Sequence, residues 1–164
     1  MKSSIAHSIK HREKPNDDFN TPVELVKNLI KLVPLKPNDI VCDNAFGTGN
    51  FYNNLPDFTI NQYSKDFYNW QTKQNWFITN PPYSNLDDWL EHSCQLAIEG
   101  FAYLLGLHNL TPRRIEMCER YGFKISSIHL CKVFKWFGIS AFIVWRKKQF
   151  HRNIKLTYDR KVWR

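Results

Sequence analysis

Asp39-Ile40-Val41-Cys42-Asp43, followed by Asn44-Ala45-Phe46-Gly47-Thr48-Gly49, is the stretch on which the fold turns. Ile40, Val41 and Cys42 form a short apolar run closed by an acid, the pattern of a buried strand, and the glycines beyond read as a tight turn. A strand that ends in an acid and feeds a glycine turn places ligands at the carboxyl edge of a parallel sheet. Gly47 and Gly49 carry no side chain, so their backbone can approach a bound molecule closely. The three-glycine dinucleotide fingerprint and the lysine of a phosphate-binding loop are both missing, which weighs against NAD and ATP.

The elements on either side alternate in type. Upstream, Pro22 opens a helix with Thr21 as its expected cap, and Val23, Val26, Leu29, Ile30 and Val33 follow at helical spacing up to Pro34. Downstream, a short helix is expected over residues 50–55, with strands over 58–63 and 76–79. Leu86, Trp89, Leu90, Ser93, Leu96 and Ala97 then mark one side of an amphipathic helix over 86–99, closed by Gly100. A strand over 101–107 precedes a helix over 112–121, opened by Thr111 and closed by Gly122. Two β-rich runs, 124–137 and 139–145, flank Gly138 as a hairpin. The pattern is α/β, a mostly parallel sheet with a terminal antiparallel hairpin. We divide the chain into a polar amino-terminal segment (1–18), a catalytic domain (19–148) and a basic carboxy-terminal tail (149–164).

Asn80-Pro81-Pro82-Tyr83 closes the strand over 76–79. Two prolines at a strand end stop the ladder and stiffen the backbone, an extravagant way to make a turn. Chemistry gives the rigidity a purpose. The exocyclic amine of adenine is a poor nucleophile because its lone pair is delocalised into the ring. The Asn80 side-chain oxygen and the Pro81 carbonyl can accept both amino hydrogens and draw the nitrogen toward tetrahedral geometry. Tyr83 can stack on the base, offsetting the few kcal/mol (~2–3) that unstacking costs.

The net charge is +8 over 164 residues, with 43% hydrophobic and 15% aromatic content, enough for one buried core. Such a field attracts polyanions. Most of the charge lies at the end: residues 146–164 hold eight Lys or Arg against the single acid Asp159. Phe150, Tyr158 and Trp163 are interleaved with them, and aromatics among cations suit base stacking as well as phosphate contact. Arg113, Arg114, Lys135, Arg146, Lys147, Lys148 and Arg152 are therefore the candidate nucleic-acid contacts. For Arg113 and Arg114 a plain helix face is an equal reading. Phe134, Trp136 and Phe137 suit core packing better.

Cys42, Cys94, Cys118 and Cys131 stand singly, without the paired spacing of zinc or redox motifs, and read as reduced buried thiols. His7 and His11 belong to a solvated segment, and no metal site is expected. Residues 1–14 are polar and basic, unlike a secretory signal, and no apolar run approaches a membrane span. A cytoplasmic chain is expected.

Together these stretches resemble the S-adenosylmethionine-dependent amino-methyltransferase superfamily, above all adenine-N6 DNA methyltransferases of bacterial and phage type. The resemblance rests on Phe19-Asn20-Thr21-Pro22, on residues 43–51 and on Asn80-Pro81-Pro82-Tyr83-Ser84. It implies a Rossmann-like class I methyltransferase fold and S-adenosylmethionine as cofactor. It further implies that Asn20, Thr21 and Pro22 hold the methionine part of that cofactor, and that Asp43, Ala45, Phe46, Gly47 and Gly49 line its pocket. Asp66 and Phe67 then meet its adenine. Such enzymes usually close the second strand with an acid for the ribose hydroxyls, whereas Tyr63-Ser64-Lys65 offers none before Asp66. Nor is there room for a separate target-recognition domain, so target choice is expected to fall to loops, the tail, a partner subunit or a second copy, or to be loose. The same tetrapeptide is similar to those of RNA adenine methyltransferases and of enzymes that methylate glutamine in release factors. The latter usually carry an added helical domain. A non-catalytic subunit that binds nucleic acid is the remaining alternative.

Overall fold

The computed structural model describes residues 20–133, 138–147 and 153–160. Among them are strands β1 (Ile40–Asp43), β2 (Ile60–Tyr63), β3 (Gln74–Thr79), β4 (Ala97–Gly106), β5 (Phe123–Cys131), β6 (Ser140–Lys147) and β7 (Lys155–Tyr158). Three helices, α1 (Val23–Ile30), α2 (Leu86–Leu96) and α3 (Pro112–Arg120), connect or flank them. The strands form one sheet in the order β2-β1-β3-β4-β6-β5-β7, and β6 alone runs against the others. The expected α/β architecture is therefore present. No helix among these residues is long and apolar enough to cross a membrane.

Side chains alternate across the sheet. Phe77, Phe101, Tyr103, Ile143 and Trp145 point to the side covered by α2 and α3. Trp76, Ile78, Ala102, Leu104 and Val144 point to the side of α1. Each large apolar side chain so buried contributes about 1.5–3 kcal/mol. Phe101 stacks on Trp145 at 5.0 Å across β4 and β6, which fixes the register there.

Four expectations are corrected. Thr21 does not cap α1: Pro22 holds the cap position with no side-chain cap bond. The short helix after the glycine turn is a single 3-10 turn, Tyr52–Asn54. Helix α2 stops at Leu96, and Gly100 lies inside β4 rather than at a helix end. A Cβ at Gly100 would sit 2.6 Å from the Trp76 ring and closer still to the Trp145 carbonyl, so tertiary contact sets this glycine. Finally, Lys155–Tyr158, within the stretch read as a tail, forms β7 and pairs parallel with β5. Thr111 does cap α3 by accepting from Arg114 N, with Pro112 in the first turn, and Gly122 ends that helix at φ 85°.

Candidate active site

A cavity of about 500 Å³ opens at the carboxyl ends of β1 and β3. Its floor comes from the glycine turn. Asp43, 1% exposed, accepts at one carboxylate oxygen from Thr79 Oγ1 (2.6 Å) and Ala45 N (3.3 Å), and at the other from Tyr52 N (3.0 Å). Burial pushes the Asp43 carboxyl above its ordinary range, and these three donors partly oppose the rise. Asp43 is thus the post that holds the turn, standing behind the cavity wall instead of in it. Gly47 (φ 50°) lines the cavity, whereas Gly49 (φ 78°) is buried under the Phe46 ring. A Cβ at Gly49 would stand 2.8 Å from Phe46 Cζ.

The amino-terminal segment is tied to this turn. Thr48 donates to Asn20 Oδ1 (3.1 Å), and Asn50 Nδ2 donates to the Thr21 carbonyl (2.8 Å). Asn20 and Thr21 line the cavity; Pro22 does not. The far wall is Asp66 and Phe67. Asp66 accepts from Asn69 Nδ2 at 2.6 Å, and Phe67, 1% exposed, packs on Trp89 at 4.7 Å. At the end of β2, Tyr63 lays its ring 4.3 Å from Phe46, and Lys65 Nζ stands 5.6 Å above the same Phe46 ring.

Asn80 reaches the cavity from the end of β3. Its Nδ2 donates to Thr21 Oγ1 (3.4 Å), and its Oδ1 accepts from the Tyr83 hydroxyl (3.1 Å). Pro82 lines the cavity while Pro81 is buried outside its wall. Tyr83 departs from expectation. Its ring packs half-buried on the core beside α2 and α3, and its hydroxyl also approaches the Leu104 carbonyl (3.2 Å). The exposed aromatic in the wall is Tyr68, whose hydroxyl donates to Asn85 O at 3.3 Å and whose ring meets Trp89 edge-on. Sequence reading missed Tyr68, Thr79 and Trp89. Thr79 was adjacent to Asn80 and could have been included; Trp89 lay on a helical apolar stripe that reads simply as core.

The expected nucleic-acid contacts scatter. Arg114 is committed within the fold: Nε pairs with Asp87 Oδ1 (2.5 Å) and Nη1 donates to Asn109 O (2.8 Å), leaving the side chain 19% exposed. That pairing also holds the Asp87 carboxyl below its ordinary range. Arg113 is exposed on α3. Arg146 and Lys147 end β6 and pair with Gly100 and Phe123, at the sheet edge opposite the cavity. Lys147 Nζ rests 5.2 Å from the Phe123 ring. Lys135, Lys148 and Arg152 lie outside the described residues. All four cysteines are free and buried.

No family model matches the chain, and no curated protein matches it. Solved structures do. A protein assigned as a class I S-adenosylmethionine-dependent methyltransferase from Listeria monocytogenes superposes with a TM-score of 0.66 at 13% identity, over 97% of this chain and 72% of that one. The M protein of the type I restriction enzyme EcoKI gives 0.60 at 13% identity, over 89% of this chain and 47% of its own. A protein assigned as an RNA methyltransferase from Pyrococcus horikoshii gives 0.57 at 14%, over 90% and 99%. Likeness at such identities is a likeness of fold, and the fold of this chain is the Rossmann-like class I methyltransferase fold.

Proposed function

We propose that this protein is an S-adenosylmethionine-dependent methyltransferase acting on a planar exocyclic amine, adenine N6 in DNA, with residues 19–148 as its catalytic domain. One observation carries the reading: Asn80 and the glycine turn face the same cavity, and Asn80 is bound to Thr21, a residue of the segment tied to that turn. The residues fit the cofactor. A cavity of about 500 Å³ is of the size that nucleoside-like ligands fill. Gly47 leaves its floor open, and the Asp66 carboxylate can accept from hydroxyls. Class I neighbours of known cofactor include a magnesium protoporphyrin IX methyltransferase with bound S-adenosylmethionine, at 12% identity.

When bound, the cofactor supplies an electrophilic methyl group. The chain's own residues prepare the nucleophile. Asn80 Oδ1 and the Pro81 carbonyl accept the two amine hydrogens, which concentrates the lone pair on nitrogen. The incoming amine must share or displace the Tyr83 hydroxyl at Asn80 Oδ1. In such a transfer the sulfur–methyl bond would break as the nitrogen–carbon bond forms, S-adenosylhomocysteine would leave, and the amine would give up one proton to solvent. Thr21 holds the Asn80 amide from its other end.

Calorimetric titration with S-adenosylhomocysteine tests the cofactor, with micromolar binding expected and none at high micromolar concentration refuting it. Transfer of labelled methyl to duplex DNA, single-stranded DNA and RNA in parallel, with nucleoside analysis, identifies polymer and product; N6-methyladenine from DNA is expected. Asn80→Ala should lower transfer at least a hundredfold with cofactor affinity within threefold (about 3 kcal/mol lost from the transition state alone). Full activity in that variant would remove the mechanism. A non-catalytic subunit is favoured by one observation, the engagement of Asp66 by Asn69 where a ribose-binding acid is wanted. Cofactor titration separates the two.

A further inference from the structure

Arg146 on β6 stands directly opposite Lys124 on β5 in an antiparallel pair, so the two side chains share a face of the sheet. Lys155 on β7 joins them there. Its register partner is Ser127, which pairs with Val144, and Val144 is two residues from Arg146 on β6 and so on the same face. Three cations therefore cross three adjacent strands on the α1 side. Strand spacing puts them in a patch of about 10 Å by 7 Å.

Like charges directly opposed on a sheet repel and oppose folding. The remedy available in the fold, an acid across the strand, is absent: among the described residues no carboxylate lies within ion-pair distance of Lys124, Arg146 or Lys155. Two acids in the neighbourhood are engaged elsewhere: Asp159, just past β7, by His129 Nε2 at 3.2 Å, and Glu99, beside the Gly100 that pairs with Arg146, by Lys36 Nζ at 3.9 Å. The patch is complementary to a polyanion supplied from outside.

Its position distinguishes it from the cavity. Arg146 pairs with Gly100, and Gly100 with Trp76, four residues before Asn80. That is about 13 Å along the strand, and β6 is two strands, about 10 Å, across from β3. A cofactor or nucleotide cannot touch both places, but a polymer can. A rigid sheet holding three cations at a fixed offset suits a partner whose phosphates also keep fixed spacing. Duplex DNA presents one charge per about 1.7 Å of axis.

We propose that Lys124, Arg146 and Lys155 form a docking site for the phosphate backbone of duplex DNA, separate from the cavity and anchoring the substrate while a target base reaches Asn80. It rests on the nucleic-acid reading of the proposed function and adds a second point of contact. The test is the affinity of Lys124→Gln/Arg146→Gln/Lys155→Gln for a duplex oligonucleotide, by fluorescence anisotropy over a salt series. The triple variant should bind at least tenfold more weakly near 0.1 M salt. Its log–log salt slope should be shallower by about two to three, and that of Lys124→Gln alone by about one. Its melting temperature should not fall, because mutual repulsion has been removed. An unchanged slope overturns the proposal, as does a larger loss for single-stranded DNA or RNA than for duplex. The S-adenosylhomocysteine titration needs no DNA, so a protein that binds cofactor yet shows no slope change loses this docking site and keeps the proposed chemistry.

Discussion

Individual side chains around the glycine turn have separable jobs. Gly49 combines φ 78° with a position under Phe46, so Gly49→Ala meets both a backbone penalty and an overlap. A loss of about 2 kcal/mol or more is expected in denaturant unfolding, together with weaker cofactor binding as Phe46 shifts. Wild-type stability in that variant would show the turn to be looser than its geometry. Thr79→Val removes the 2.6 Å donor to Asp43 and should cost about 1.5–3 kcal/mol. It also changes the pH response. Because burial raises the folded Asp43 value, the folded state binds this proton more tightly, and stability drains as pH climbs from about 3.9 through the raised value. Thr79→Val raises it further and should extend the fall in melting midpoint above about pH 4 to higher pH; a profile superposable on wild type would contradict this. Residues of this kind were only half legible in the sequence. The acid and glycines announced a turn, but the inward aim of Asp43 and the burial of Gly49 depend on Tyr52, Thr79 and Phe46, which no local spacing reveals.

Helix α3 packs Cys118, Ile115 and Met117 on the core and is further tied to α2 by one cation. Arg114 joins Asp87 of α2 to the Asn109 carbonyl, so Arg114→Ala should cost about 1–2 kcal/mol and leave DNA affinity unchanged. A fall in DNA affinity would return Arg114 to the interface. The Asp87 value is depressed in the fold, so its contribution is complete above about 3.9 and disappears as pH drops through the depressed value. Arg114→Ala should lose that part of the acid dependence in melting curves. Strand and helix types were mostly readable from periodicity, down to the cap at Thr111. Boundaries were not. A glycine after an amphipathic run looks like a helix stop, yet Gly100 is dictated by Trp76 and Trp145, far away in sequence. Strand β7 was hidden for a related reason: Lys155 to Tyr158 has strand-forming residues among cations, and its partner strand begins at Phe123.

Across the molecule, charge and chemistry occupy different places. The cations that the sequence seemed to offer to one surface divide between structural duty at Arg114 and the edge opposite the cavity at Arg146 and Lys147. His129 ties β5 to β7 through Thr157 Oγ1 (2.8 Å) and Asp159. His129→Ala should lower stability by about 1–2 kcal/mol while S-adenosylhomocysteine affinity changes less than twofold. A larger change in affinity would mean that the two halves communicate. Every residue in the cavity wall lies between Asn20 and Trp89. The whole wall is therefore synthesised before β4, and well before β6, the strand that covers the open edge of β4. Local order cannot finish the cavity that early, since β3 has only β1 beside it until residue 97. A released chain truncated after α2 would carry all the binding residues with no β4 to close the sheet, and would present the apolar faces of Trp76 and Phe77 to whatever chaperone meets it first.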